Sequence, residues 1–87
     1  MSSSLVWRPV PKELKDSYLG YELKFHIAEQ LWGHDGSLNS EWTEVDGDLI
    51  PFLEGIKSAG GGELSKQAEK LISLIRKYGS VQIKLEG

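Results

Sequence analysis

The spacing of apolar side chains is clearest in the C-terminal third of the chain. From residue 63 to 78 it predicts a helix, because the apolar positions share one face: Leu64, Ala68, Leu71, Ile75 and Tyr78. Residues 80–86 alternate between apolar and polar side chains, which predicts a strand. A strand must pair, and three partners are open: residues 5–7, part of residues 42–45, or the same strand of a second chain.

The N-terminal pattern is richer in aromatic residues and predicts a long helix over residues 11–32, with Pro11 at its start. At helical spacing, a largely aromatic stripe falls within about 40° of one line. Its members are Leu14, Tyr18, Tyr21, Phe25, Ala28 and Trp32. A second stripe contains Leu19, Leu23, Ile27 and Leu31. A helix with two apolar sides must be covered on both, so it is either the central helix or part of a self-association surface.

An alternative interpretation exists for residues 21–27, which also alternate with the period of a strand, with Gly20 marking the break. The helix is favoured because the aromatic stripe continues for 19 residues. Gly33 is the expected C-terminal stop of this helix.

A shorter helix is predicted over residues 49–58, with Asp48 as its N-terminal cap and Pro51 in its first turn. Gly60, Gly61 and Gly62 then form an expected flexible hinge. Residues 33–48 are predicted to form a loop of 16 residues. That length exceeds the usual connection and indicates a functional loop or a missed short element.

These elements predict one α+β domain over residues 1–87, mainly helical, with three helices and a C-terminal strand. That strand pairs with a short N-terminal or loop strand. An 87-residue chain fits a single domain. Residues 1–4 are expected to be mobile.

Charge is unevenly distributed along this domain. The net charge is −3, yet residues 25–56 carry seven acidic residues and no Lys or Arg, while residues 57–87 have a net charge of +3. An acidic chain argues against nucleic acid as the main partner, since phosphate binding needs a basic face. The basic outer face of the third helix leaves nucleic-acid binding as a minor alternative; it comprises Lys66, Lys70, Arg76 and Lys77.

Composition narrows the possible chemistry. The chain has no Cys, which excludes disulfides, thiolate zinc sites and thiol nucleophiles. Neither a signal-peptide pattern nor an apolar run of membrane-spanning length is present, so a cytoplasmic protein without membrane contact is expected.

Weak metal and catalytic patterns also occur. Residues 35–46 place oxygen-bearing side chains at calcium-loop spacing, but Ser40 and Asp46 replace the required Gly and Glu. His26 lies among glutamates in an ordinary surface pattern, and His34 beside Asp35 lacks an assignable nucleophile. No cofactor, metal or enzyme activity is therefore predicted, and a small metal-binding protein is kept as a minor alternative.

The leading hypothesis is a protein-protein interaction module whose acidic, Trp-containing central loop binds a basic partner surface. Its candidate residues are Trp32, His34, Asp35, Glu41, Trp42, Glu44 and Asp46. The alternative is a homodimer formed through the two-sided first helix or the terminal strand. A plainer possibility is that the loop docks on the third helix of its own chain.

Overall fold

The computed structural model describes residues 4–9 and 17–86. Four strands form one antiparallel sheet in the order β2-β1-β4-β3. In chain order the elements are β1 (Ser4–Pro9), β2 (Ser17–Gly20), α1 (Glu22–Trp32), β3 (Thr43–Asp46), a 3₁₀ turn (Gly47–Leu49), α2 (Ile50–Gly60), α3 (Gly62–Tyr78) and β4 (Ser80–Glu86). The predicted α+β class with three helices is confirmed.

The C-terminal strand lies inside the sheet, between β1 and β3. Trp7 pairs with Ile83 on one side of β4, and Val45 pairs with Val81 on the other. Two of the three candidate partners, residues 5–7 and part of residues 42–45, therefore pair with this strand. Because β4 is paired along both edges in the described structure, it offers no free edge to a second chain, and the homodimer hypothesis stays a prediction.

One face of the sheet carries the helices, and the hydrophobic core lies between these two layers. Strand alternation turns the buried side chains of β1, β3 and β4 to this side: Leu5, Trp7, Val45, Val81, Ile83 and Leu85. The helices contribute Leu23, Ile27, Leu53, Leu71 and Ile75, among others. The other face of the sheet, here called the open face, carries the polar side chains of Arg8, Glu44, Gln82 and Lys84.

The first helix begins at Glu22, not at residue 11, and the strand β2 precedes it. Residues 10–16 lie outside the described part of the chain. The aromatic stripe was obtained by applying helical spacing to residues of both β2 and α1. Helical spacing does not apply to a strand, so the stripe is not one continuous face. Residues 22–32 are helical, and Gly33 ends the helix with a left-handed φ of 74°.

The aromatic stripe is consequently buried only in part: Ala28 is in the core, and Trp32 is partly buried against it. Tyr21 and Phe25 are 41% and 44% exposed, whereas Leu23 and Ile27 are fully buried. The second stripe faces the core, because that side of α1 contacts α3 and the sheet. Only one side of this helix is covered by the described residues.

The start of the second helix also differs from the prediction. Asp46, not Asp48, supplies the side-chain cap: its Oδ1 accepts the backbone N–H of Asp48 at 2.9 Å and starts the 3₁₀ turn. Pro51 lies in the first turn of α2 as predicted. Gly61 alone joins α2 to α3, so the glycine segment forms a tight corner. The mobility expected of residues 1–3 concerns positions outside the described part, and Ser4 already belongs to β1.

Candidate functional site

The acidic loop returns to the sheet as its outermost strand. Before β3 begins, Ser40 already runs beside β4: its backbone N–H donates to the Leu85 carbonyl at 3.3 Å, and its Oγ accepts the Leu85 N–H at 2.8 Å. Residues 40–46, here called the edge segment, therefore lie along β4. Within the described residues, no strand pairs with the opposite side of this segment. An edge of this kind presents backbone groups to which another chain can bind.

Trp42 lies on the open face of the sheet and is held there by two cations of its own chain. The Arg8 guanidinium carbon lies 4.2 Å from the ring centroid, and the Lys84 Nζ lies 5.0 Å from it. Both distances are in the range of cation–π attraction. The half-buried ring lines a hollow of about 410 Å³ together with Ser40, Glu41 and Lys84. Trp42 thus has a packing role as well as an exposed surface.

Trp32 and His34 lie apart from Trp42, at the C-terminal end of α1. The Trp32 Nε1 donates to the Thr43 Oγ1 at 3.0 Å, and its ring stacks on His34 with centroids 6.3 Å apart. The His34 Nδ1 accepts the backbone N–H of Gly36 at 3.0 Å. Thr43 and Trp42 point to opposite faces of one strand, so the predicted site residues are divided between the two faces of β3.

Three exposed carboxylates surround a small hollow at the outer end of β3. Glu44, Asp46 and Asp48 form its rim, Leu31, Val45 and Leu49 complete its lining, and its volume is about 200 Å³. In the described part of the chain, none of these carboxylates forms an ion pair with Lys or Arg. Among the residues that the structure describes, these carboxylates therefore have no ion-pair partner at the edge.

Two acidic residues of the helices form ion pairs between α2 and α3. Glu54 contacts Arg76 at 3.4 Å, and Glu69 contacts Lys57 at 3.0 Å. The edge segment is held by hydrogen bonds and ring contacts with β1 and β4, whereas these ion pairs join α2 to α3. The contacts seen for the loop thus give no support to docking on α3.

Asp35 makes a local turn. Its Oδ1 accepts the Ser37 backbone N–H at 2.9 Å. The Ser37 side chain and then its N–H lower the pKa of the Asp35 carboxyl. Across the described residues, no group of three or more His, Asp or Glu side chains is arranged to hold a metal ion.

A second surface is an apolar cleft between α1 and α2. Two adjoining hollows, of about 560 and 380 Å³, share His26 and Phe52 in their linings. The sequence pointed to part of this surface, since the stripe with Tyr21 and Phe25 was assigned either to a central helix or to a self-association surface. The two rings meet edge to face at the surface, with centroids 5.2 Å apart.

Lys24 supports this aromatic pair from beneath. It is only 2% exposed, and its Nζ lies 4.2 Å from the Tyr21 ring centroid and 5.1 Å from that of Phe25. Both distances are in the range of cation–π attraction.

No protein-family model, curated protein or solved structure matches the chain. Of the helices in the described residues, none has the length and apolar character needed to cross a membrane.

Proposed function

We propose that this chain is a non-enzymatic protein-interaction module, and that its edge segment binds an extended, basic segment of a partner protein. The observation that carries the proposal is the free edge of β3, whose carboxylates have no ion-pair partner in the described part of the chain. We also propose, as expected from the sequence, that the protein is cytoplasmic.

Charge supports a basic partner. Glu44, Asp46 and Asp48 project from one end of the edge segment, and Glu41 is exposed farther along it. A partner strand with Lys or Arg at alternate positions places its cations along this rim. Such complementarity accelerates association and selects against acidic partners.

Backbone pairing and the small hollow supply the rest of the contact. An added strand gains main-chain hydrogen bonds along the edge, as in other cases of strand addition. The hollow beside Val45, about 200 Å³ in volume, accepts one apolar side chain between the cationic ones. We therefore expect the partner segment to alternate basic and apolar residues.

A synthetic peptide with this pattern tests the proposal. Acetyl-(Lys-Val)₄-amide should bind with a dissociation constant of about 0.1–1 mM, which is reasonable for a short peptide on one edge. Amide NMR shifts should change along residues 40–46, and binding should weaken as salt is added. Acetyl-(Glu-Val)₄-amide should not bind.

Charge reversal at the edge gives the matched protein variants. Glu44→Lys with Asp48→Lys should weaken peptide binding about tenfold, because two attractive contacts become repulsive. Asp46 stays unchanged, since it caps the 3₁₀ turn. The control, Glu63→Lys with Glu69→Lys on α3, makes the same change in net charge. Equal weakening by both pairs, or shifts confined to other surfaces, would show that the edge is not the binding site.

A further inference from the structure

The helical side of the domain exposes apolar surface that the proposed edge site does not use. Phe25 is 44% exposed, and it stands beside the cleft between α1 and α2. The α2 side of that cleft contains small residues, Gly55, Ala59 and Gly60. The described part of the chain therefore presents a projecting aromatic ring next to an apolar hollow.

The lining of this cleft carries little charge, because Glu29 is its one Asp, Glu, Lys or Arg among the described residues. The ion pairs of α2, Glu54 with Arg76 and Lys57 with Glu69, lie outside this lining. On the α1 side, His26 and Glu29 line the cleft next to each other. A chain of net charge −3 repels its own copies, so two copies approach best where the surface charge is balanced.

We propose that the cleft between α1 and α2 binds a second copy of this chain, with Phe25 of each copy inserted into the cleft of the other. A two-fold contact brings the same patch of both copies together, so the patch must complement itself. Phe25 and the hollow provide complementary shapes within one patch.

His26 and Glu29 provide a complementary hydrogen-bond donor and acceptor. They lie three residues apart on one face of α1, so antiparallel packing of α1 against its copy sets each imidazole opposite the other copy's carboxylate. The contact then contains two equivalent His26–Glu29 hydrogen bonds. This reciprocity, with a donor and an acceptor in one patch, favours a second copy as the occupant.

A stable interface buries about 800 Å² on each partner, roughly one sixth of the 5004 Å² accessible surface of the domain. The proposed dimer therefore has to bury one face of the domain, including the cleft.

Sedimentation velocity of the full chain, from about 5 µM to about 1 mM, tests the proposal. The wild type should shift from monomer to dimer within this range. Gly55→Lys should raise the dimer dissociation constant at least about tenfold, since its side chain occupies the cleft. A Cβ at Gly55 meets nothing within 4 Å, so this variant should fold as well as the wild type. The control Ser73→Lys, on the exposed face of α3, should dimerise nearly normally.

A charge exchange tests the two-fold arrangement itself. Glu29→Lys should weaken dimerisation about fivefold, and His26→Glu combined with Glu29→Lys should restore it. Only a surface that meets its own copy regains binding when both charges are exchanged within one chain.

Three results would overturn the proposal: a wild type that stays monomeric to about 1 mM, equal effects of Gly55→Lys and Ser73→Lys, or no recovery in the exchanged variant. None of these results bears on the edge segment, because the cleft and the edge hollow share no lining residue.

Discussion

Gln67 joins three elements through one side chain. Its Oε1 accepts the Leu23 backbone N–H at 3.0 Å, and its Nε2 donates to Glu22 Oε1 at 2.7 Å. The start of α1 has no side-chain cap of its own, so a residue of α3 satisfies this first-turn N–H. Gly20 passes so close that an added Cβ would collide with the Gln67 side chain. The turn from β2 into α1 is thus built around this amide.

Replacing Gln67 with Ala should lower the free energy of unfolding by about 1–3 kcal/mol, because a buried N–H loses its acceptor. Urea unfolding at low protein concentration measures this change. Gln30→Ala, on the exposed side of α1, serves as the control and should change stability by less than about 0.5 kcal/mol. If the free energy of unfolding falls no more than in the control, water must replace the Gln67 side-chain amide as hydrogen-bond partner without loss of stability.

The Glu22 carboxyl reports the same contact through its titration. The Gln67 side chain, followed by backbone N–H groups, lowers the pKa of Glu22 from its usual 4.5. A lowered pKa means that the charged form is favoured in the folded protein. Its stabilisation is therefore present above the unfolded pKa and is lost as pH falls through the folded value. NMR titration should show the Glu22 pKa rising towards its usual value in Gln67→Ala, and an unchanged pKa would contradict this assignment.

Two glycines of the helices have opposite roles. Gly33 ends α1 at a φ of 74°, where its N–H donates to the Ala28 carbonyl. Gly55 lies inside α2, and a Cβ added at either position would meet open space. Only the backbone conformation separates them, so changing each to Ala isolates that effect.

Gly33→Ala should destabilise the domain by about 1 kcal/mol, and Gly55→Ala should stabilise it by about 0.5–1 kcal/mol. The unfolded chain is affected alike in both variants, so the difference between them belongs to the folded state. Thermal unfolding of dilute protein measures both. Changes of the same sign would contradict the assigned conformations.

Periodicity correctly predicted the elements that follow a single period over their whole length. Residues 62–78 and 80–86 follow one period without interruption, and α3 and β4 match the predicted bounds closely. β2 was missed because its four residues are too few to show alternation, and Leu19 fitted the helical stripe beyond it. The residues of β3 were predicted only as one of three candidate partners of the C-terminal strand. Their pairing depends on β4, which is far away in the sequence.

The sequence indicated candidate residues for the site, but it could not show which of them share a surface. Sequence grouped Trp32, Trp42 and the acids because they are close along the chain. The alternation of β3 then separated Trp32 from Trp42, and Arg8, far away in sequence, came to lie on the Trp42 ring. The sequence could not decide which apolar side of the first helix is exposed, because exposure of Phe25 depends on which side of α1 packs against the sheet.

At the scale of the whole molecule, the two proposed surfaces should act independently. The edge hollow and the cleft share no lining residue, and substitutions without shared contacts usually have additive effects. Gly55→Lys should therefore leave the dissociation constant for acetyl-(Lys-Val)₄-amide within about twofold of the wild type. Glu44→Lys with Asp48→Lys should not weaken dimerisation.

The edge variant should even dimerise slightly more tightly. It moves the net charge from −3 to +1, so two copies repel each other less. Adding salt to the wild type screens the same repulsion and should have the same effect, whereas salt weakens binding of the basic peptide. Opposite salt responses, measured on one protein by sedimentation and by peptide titration, would separate the two surfaces. Weakening of both by salt, or of dimerisation by the edge variant, would mean that a single acidic surface serves both contacts.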